Sequence, residues 1–322
     1  NGPILLWKKI MPKVLISDAM DNVAEKILAL NNIEVDVKTD FTPEELINNI
    51  QNYDGLIVRS ATKVTKELID NAKNLKIIGR AGAGVDNIDL ISAKEKNIIV
   101  MNTPGGNTNA TAEHTLALLL SLSRKISKAD STTHKGKWEK KKLKGNEIRG
   151  KKIGIIGFGN VGKRFAEICN ALGLKIMIFS KTFDLIKEKY PEYLSCDLNE
   201  ILNEADIISF HCKPNSDGSS IINAKEINLM KKNVLIINTA RGNLVSEIDL
   251  FDAIKNQTIG GVALDVFAEE PAKKNILFGL ENVLLTPHIA ASTVESQIIV
   301  AEMIANQFVD YFLNNKINNS VI

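Results

Sequence analysis

Short runs of β-branched and other apolar residues alternate with helical patterns along almost the whole chain. The first series is Val14–Ser17, Ile33–Val37, Gly55–Arg59, Lys76–Gly79 and Ile98–Asn102. The second begins at Ile153–Ile156 and continues with Lys175–Phe179, Ile207–Cys212, Val234–Thr239, Val262–Val266 and Val283–Leu285. Nearly continuous apolar runs of this length are expected of strands covered on both faces, and their alternation with helical segments predicts an α/β chain with parallel sheets. Helix starts are marked at Thr42-Pro43-Glu44-Glu45, where a capping residue precedes proline and a glutamate follows three residues after the cap, and at Thr65-Lys66-Glu67. A long apolar helix over about Thr108–Lys128 separates the two series, and an amphipathic helix over about Val294–Asn314 follows the last strand. The length of 322 residues suits two domains.

The most informative stretch is Gly157-Phe158-Gly159-Asn160-Val161-Gly162, directly after the run Ile153–Ile156. Between a buried strand and a helix, a glycine triplet suits a dinucleotide pyrophosphate. The first glycine permits a tight turn, the second lets the backbone approach the phosphates, and the third lets the helix pack close to the strand. The helix N-terminus adds N–H groups and positive potential.

A hydrophobic content of 44% with 24% charged residues is ordinary for a globular protein with a sizeable core. The net charge of +2 argues against a protein built to grip nucleic acid, which would need a concentrated basic face. Cys169, Cys196 and Cys212 stand in no metal-ligand or redox spacing and fit a reducing compartment, so a cytoplasmic location is expected. No stretch reads as a membrane span, because Glu113, His114 and Arg124 interrupt the longest apolar helix. Asn1–Ile10 precedes Met11 without the cleavage signature of a secretory signal and reads as leader residues. The basic stretch Lys135–Lys152 reads either as a solvated linker or, because it holds Trp138, as a contact with a partner subunit.

Three polar residues stand just past predicted strand ends, where ligands of doubly wound sheets bind. Arg241, in Asn238-Thr239-Ala240-Arg241-Gly242, offers a planar guanidinium that matches a carboxylate bidentately. His288 follows Leu284-Leu285-Thr286-Pro287, with small residues behind it, and imidazole exchanges protons near neutrality. A carboxylate in Asp265-Val266-Phe267-Ala268-Glu269-Glu270-Pro271 could orient that imidazole, and spacing alone does not choose between Glu269 and Glu270. Of the other histidines, His114 reads as core packing and His134 as part of a solvated basic loop. His211 ends a strand, where a structural role and cofactor proximity are equally open.

Further blocks flank these residues: Val58-Arg59-Ser60-Ala61-Thr62-Lys63-Val64-Thr65, Gly79-Arg80-Ala81-Gly82-Ala83-Gly84-Val85-Asp86-Asn87, Met101-Asn102-Thr103-Pro104, Ala112-Glu113-His114-Thr115 and Gly136-Lys137-Trp138-Glu139. With the glycine fingerprint and the Arg241, Glu270 and His288 blocks in this order, the chain resembles the D-isomer-specific 2-hydroxyacid dehydrogenases from about Lys13 to its C-terminus. The resemblance implies two Rossmann-like, doubly wound parallel-sheet domains. The first would be a discontinuous substrate-binding domain over 11–104 and 291–322, the second a dinucleotide-binding domain over 105–290, with the active site in the cleft. It implies that Arg241 holds the substrate carboxylate, that His288 is the acid–base group and that Glu270 is its partner. Cofactor contacts are implied at Gly157, Gly159, Asn160, Val161, Gly162, Ser180, Lys181, Cys212, Thr239, Ala240, Asp265, Ala290 and Ala291. Arg59, Ser60 and Arg80, with Ala81 and Gly82 beside them, match positions that contact a phosphorylated substrate. The expected reaction is oxidation of D-3-phosphoglycerate to 3-phosphohydroxypyruvate at the entry to serine synthesis, by a homodimer or tetramer in which the Trp138 segment reaches the other subunit.

The departures bear on the cofactor. NAD-specific members of the family carry an aspartate after the second Rossmann strand, where this chain reads Phe179-Ser180-Lys181. NAD is the expected cofactor, with NADP as the alternative because Lys181 could pair with a 2′-phosphate. Ala83 and Cys212 replace threonines common near the cofactor, and Lys140 replaces an arginine. The chain stops soon after its last predicted helix, so the regulatory domains of longer members are not expected. A glyoxylate or hydroxypyruvate reductase is the nearest alternative, and a dinucleotide-sensing corepressor-like interaction protein is the alternative from another class.

Overall fold

A computed structural model describes residues 11–322; the leader reading of Asn1–Ile10 falls outside them. The chain divides into two compact units, one ending at Asn107 and resumed by Thr293–Ile322, the other spanning Thr108–Ser292.

The first unit is a sheet of five parallel strands, β1 (Lys13–Ile16), β2 (Glu34–Val37), β3 (Gly55–Val58), β4 (Ile77–Arg80) and β5 (Ile99–Asn102), in the order β2-β1-β3-β4-β5. Helices α1 (Val23–Leu30), α2 (Pro43–Asn49), α3 (Lys66–Asn71) and α4 (Leu90–Glu95) connect them. Thr42 and Glu45 form the expected reciprocal capping box, and Thr65 caps α3. Period-two alternation sorts each strand's side chains between two cores. Val14 and Ile16 enter one cluster while Leu15, between them, enters the other. The C-terminal helix (Val294–Asn314), capped by Thr293, closes the first of these cores with Val300, Ala301, Ile304, Ala305 and Phe308. It comes very close to the sheet because β3 and β4 present glycines there. A Cβ on Gly55 or Gly79 would lie 2.8 or 2.4 Å from the Phe308 ring.

The second unit opens with α5 (Thr108–Arg124), where the structure corrects the sequence reading. The predicted helix to Lys128 breaks at Lys125, which takes a left-handed backbone with φ 55°, and α6 (Ile126–His134) starts anew. His134 therefore ends a helix, 3.4 Å from Asp130, and does not lie in a loop. Its sheet has seven parallel strands: β6 (Lys152–Ile156), β7 (Lys175–Phe179), β8 (Leu194–Ser195), β9 (Ile207–Phe210), β10 (Leu235–Asn238), β11 (Gly261–Leu264) and β12 (Val283–Leu285). Their order is β12-β11-β10-β9-β6-β7-β8. Helices α7 (Asn160–Ala171), α8 (Leu198–Glu204), α9 (Ala224–Ile227) and α10 (Glu247–Lys255) intervene. The two-residue β8, paired only at the edge of β7, lacks an apolar run and was not predicted. Apolar clusters cover both faces, one around Ile208, Ile236 and Val262, the other around Ile155, Ile178 and Ile237. No helix among the described residues is long and apolar enough to cross a membrane.

Candidate active site

The candidate residues of the second unit lie in the segments that follow the carboxyl ends of its strands, where a doubly wound sheet exposes its crevice. The chain leaves β6 through Gly157 at φ 100°, and a Cβ there would lie 2.5 Å from the His211 carbonyl oxygen. Only glycine fits. Gly159 caps α7, and nothing lies within 4 Å of where its Cβ would be, so the backbone is open on that side. At Gly162 a Cβ would meet the Gly157 oxygen at 2.1 Å, which seats the helix on the turn. Asn160, Val161 and Gly162 form the first turn of α7, so the residues present fit a dinucleotide pyrophosphate. Cys212 flanks the same turn, its backbone nitrogen 2.7 Å from the Gly157 Cβ position.

His211 is structural. Its Nε2 lies 2.9 Å from the Ser209 hydroxyl, its ring centroid 5.1 Å from that of Phe165, and burial pushes its pKa down to about 3. The ring therefore stays neutral, in a residue that is half-buried.

Ser180 and Lys181 follow β7 and line a cleft of about 480 Å³. Asp184, also in the cleft, accepts from Ser195 and Lys187, which hold its carboxyl below the usual range. Lys181 makes no ion pair among the described residues.

Past β10, Asn238 organises the next turn by accepting from Ala240 N–H at 3.0 Å and donating to the Arg241 carbonyl at 2.8 Å. Arg241 Nη1 donates to the Ala240 oxygen at 2.7 Å. Thr239, whose hydroxyl is 2.8 Å from that of Thr115, anchors the same strand end on α5. A Cβ on Gly242 would lie 1.9 Å from the Phe267 carbonyl carbon, so this glycine lets the Arg241 turn press onto the segment that carries Glu270.

Glu270 accepts the Phe267 N–H at 3.0 Å, and its Oε2 lies 2.6 Å from His288 Nδ1. Glu269, its rival by spacing, makes no hydrogen bond or ion pair among the described residues. The Glu270 hydrogen bond raises the His288 pKa above its ordinary value, against desolvation and the Arg241 charge. Burial raises the Glu270 carboxyl, but the His288 and Phe267 donors outweigh it, so the net shift is downward. The pair thus favours imidazolium beside carboxylate.

His288 sits at φ 53° in a turn held from beneath by Asp265. That carboxylate, fully buried, accepts the Thr286 hydroxyl at 2.5 Å and the N–H groups of Ile289 and Ala290 at 2.9 and 2.8 Å. Asp265, read as a cofactor contact, therefore lies under the loop with both oxygens engaged. Ala290 is buried and Ala291 follows it half-exposed. His114, expected in core packing, lies instead with Nε2 3.1 Å from the Thr286 hydroxyl and 3.4 Å from Asp265. A lone histidine on an apolar helix carries no sequence signal for this polar contact.

In the first unit, Arg59 and Ser60 lie on the turn after β3. Buried Asp18 accepts the N–H groups of Arg59 at 2.6 Å and Thr62 at 3.1 Å, and Asn87 donates to the carbonyls of Arg59 and Thr62 at 2.7 Å. Arg59 Nη1 donates to the Ala19 oxygen at 3.1 Å. Asp18 and Asn87 were missed because the partners that give them meaning are distant in sequence. Arg80 ends β4, followed by buried Ala81 and by Gly82 at φ 150°, whose Cβ would lie 1.4 Å from Arg80 Nη1. Gly82 leaves the space the guanidinium fills.

A glycine turn at a helix N-terminus, together with a carboxylate-paired imidazole and a guanidinium at neighbouring strand ends, defines a dinucleotide-binding domain of the dehydrogenase class. Residues 116–290 match the family described as "D-isomer specific 2-hydroxyacid dehydrogenase, NAD binding domain", and the chain belongs to this family. It is 41% identical over 310 residues to a D-3-phosphoglycerate dehydrogenase of Archaeoglobus fulgidus, covering 96% of this chain and 59% of that protein. The chain spans somewhat more than half the length of the curated relatives it matches. Among solved structures, it resembles an acyclic imino acid reductase in complex with NADPH and D-Arg, with TM-score 0.86 and 33% identity, covering 96% of this chain and 100% of that one. It also resembles the NAD+-bound 3-phosphoglycerate dehydrogenase of Entamoeba histolytica, with TM-score 0.81 and 29% identity, covering 97% and 99%.

Proposed function

We propose that this chain oxidises D-3-phosphoglycerate to 3-phosphohydroxypyruvate with a nicotinamide dinucleotide, the first step of L-serine biosynthesis. The observation that carries the chemistry is the 2.6 Å contact between His288 Nδ1 and Glu270. It engages Nδ1 and leaves Nε2 to exchange a proton with the substrate oxygen. Arg241 takes the substrate carboxylate through its fork of N–H donors. When bound at the Gly157–Gly162 turn, the nicotinamide dinucleotide supplies the hydride acceptor. In oxidation, neutral His288 takes the hydroxyl proton at Nε2; in reduction, the imidazolium returns it. Positioned proton transfer of this kind contributes about 10²–10⁴ in rate.

The names of the relatives support a phosphorylated substrate, and so do the cations of the first unit. A phosphate near charge −2 calls for several donors, a role we assign to Arg59, Ser60 and Arg80, with Ala81 and Gly82 shaping the turn. The first unit is accordingly the substrate-binding part and the second the cofactor-binding part. Trp138, 86% exposed beside a lysine-rich stretch, is assigned to self-association with a second copy.

For the cofactor, no acid stands directly after β7 and Lys181 offers a cation to a 2′-phosphate, while the Asp184 carboxylate lies in the same cleft; the chain uses NAD(H) and also admits NADP(H). The same feature favours a glyoxylate or hydroxypyruvate reductase as the second reading. A panel of D-3-phosphoglycerate, hydroxypyruvate and glyoxylate, assayed with both cofactors, decides. The highest kcat/KM is expected on the phosphorylated couple, with the two cofactors within about tenfold, roughly 1.4 kcal/mol. Preference for glyoxylate would overturn the substrate. Tight cofactor binding with no turnover would support the corepressor-like reading.

A further inference from the structure

We propose that His114 is a positioning residue for the acid–base histidine, acting through Thr286 and Asp265. The proposal rests on the role assigned to His288 above. Donor directions follow from chemistry. Ionised Asp265 can only accept, so the Thr286 hydroxyl at 2.5 Å donates to it. The lone pairs of that hydroxyl are then left to accept from His114 Nε2–H at 3.1 Å, and the same nitrogen lies 3.4 Å from Asp265 Oδ1. His114 is thus the neutral or charged donor at the outer end of a short polar chain that ends on a fully buried acid.

That chain holds the turn on both sides of His288. Asp265 grips Thr286 before it and the N–H groups of Ile289 and Ala290 after it, while His288 N–H itself donates to the Thr286 carbonyl at 3.0 Å. The result is a closed turn in which a non-glycine residue is kept at φ 53°, a left-handed conformation that persists only where its surroundings over-determine it. Without the His114 donor, the Thr286 hydroxyl loses its anchor on α5. The turn can then relax toward ordinary backbone angles and swing the imidazole away from Glu270. Adjacent Thr115 does the same service for the other strand end, its hydroxyl 2.8 Å from that of Thr239, two residues before Arg241. Helix α5 therefore ties down both strand ends that carry the proposed chemistry, through two consecutive residues.

The test compares His114→Leu, His114→Gln, Thr286→Val and Thr286→Ser with the wild-type chain, measuring kcat, substrate KM and the cofactor dissociation constant. The Leu and Val variants should lower kcat about 10- to 100-fold, the scale of a misplacement near 1 Å, while KM and cofactor affinity stay within about threefold. The Gln and Ser variants keep a donor or hydroxyl and should recover most of the rate. Unchanged kcat in the folded Leu and Val variants, or a loss of cofactor affinity as large as the loss of rate, overturns the proposal. If the Leu variant fails to fold, the Gln and Thr286 variants decide on the same criteria. A wild-type chain that turns over none of the 2-hydroxy or 2-oxo acids sinks the reading of His288 and this proposal with it. An active wild type with unaffected variants sinks this proposal alone.

Discussion

Replacing Glu270 by glutamine keeps the side chain's shape and removes its charge. The 2.6 Å contact to His288 is charge-assisted when the ring is protonated, and such bonds contribute about 1.5–3 kcal/mol. The His288 side chain is 49% exposed and that of Glu270 32%, so solvent screening reduces this to about 1–2 kcal/mol. The Glu270 hydrogen bond is the largest cause of the raised His288 pKa, so the His288 midpoint should fall in the variant. The sign follows from the chemistry. Glu270 raises the His288 pKa above 6.5, reduction needs imidazolium and oxidation needs the neutral ring. Reductive kcat/KM should therefore be flat at low pH and decline through the raised pKa, while oxidative kcat/KM should climb through it. Glu270→Gln should move both inflections to lower pH and lower kcat about 10- to 100-fold, because the ring loses the charge that fixes its tautomer and orientation. The assay is a pH series of initial rates in both directions, followed by nicotinamide absorbance. Inflections that stay in place, with kcat within about twofold of wild type, would mean that Glu270 does not set the proton affinity of His288.

Arg59→Ala should raise KM for phosphorylated substrates about tenfold or more, the scale of one charged hydrogen bond, and leave glyoxylate kinetics nearly unchanged; equal losses on both would remove Arg59 from phosphate binding. Lys181→Asp should cut kcat/KM with NADP(H) about tenfold or more by replacing attraction with repulsion, without lowering that with NAD(H), and an unchanged cofactor ratio would count against Lys181. Phe308→Ala opens a hole between the C-terminal helix and the glycine-lined face of β3 and β4. It should cost about 3–5 kcal/mol in denaturant unfolding, and a loss below about 1 kcal/mol would mean that the helix does not depend on that contact.

The central strands were legible because burial on both faces writes itself as apolar runs, the exposed two-residue edge strand β8 was not, and the final helix was legible from its amphipathic period. The break at Lys125 was not, since lysine gives no hint of a left-handed backbone and no glycine or proline marks the junction. Gly157 and Gly162 could be read because nothing larger fits their turn. Gly242 could not, because the backbone it must clear, at Phe267, is remote in sequence. Choosing Glu270 over Glu269 from the residues alone was equally out of reach, as it depends on how the segment after β11 presents each side chain to a histidine 18 residues further on. The polar chain from His114 to Asp265 spans more than 150 residues of sequence, and its members look individually like core or turn residues.

The acid–base assignment is tested most directly by the turnover of His288→Ala beside wild type, in both directions, with cofactor affinity measured in parallel. The acid–base role of His288 implies a kcat lower by about 10²–10⁴ with cofactor affinity nearly unchanged. A variant that reacts within about twofold of wild type would contradict it.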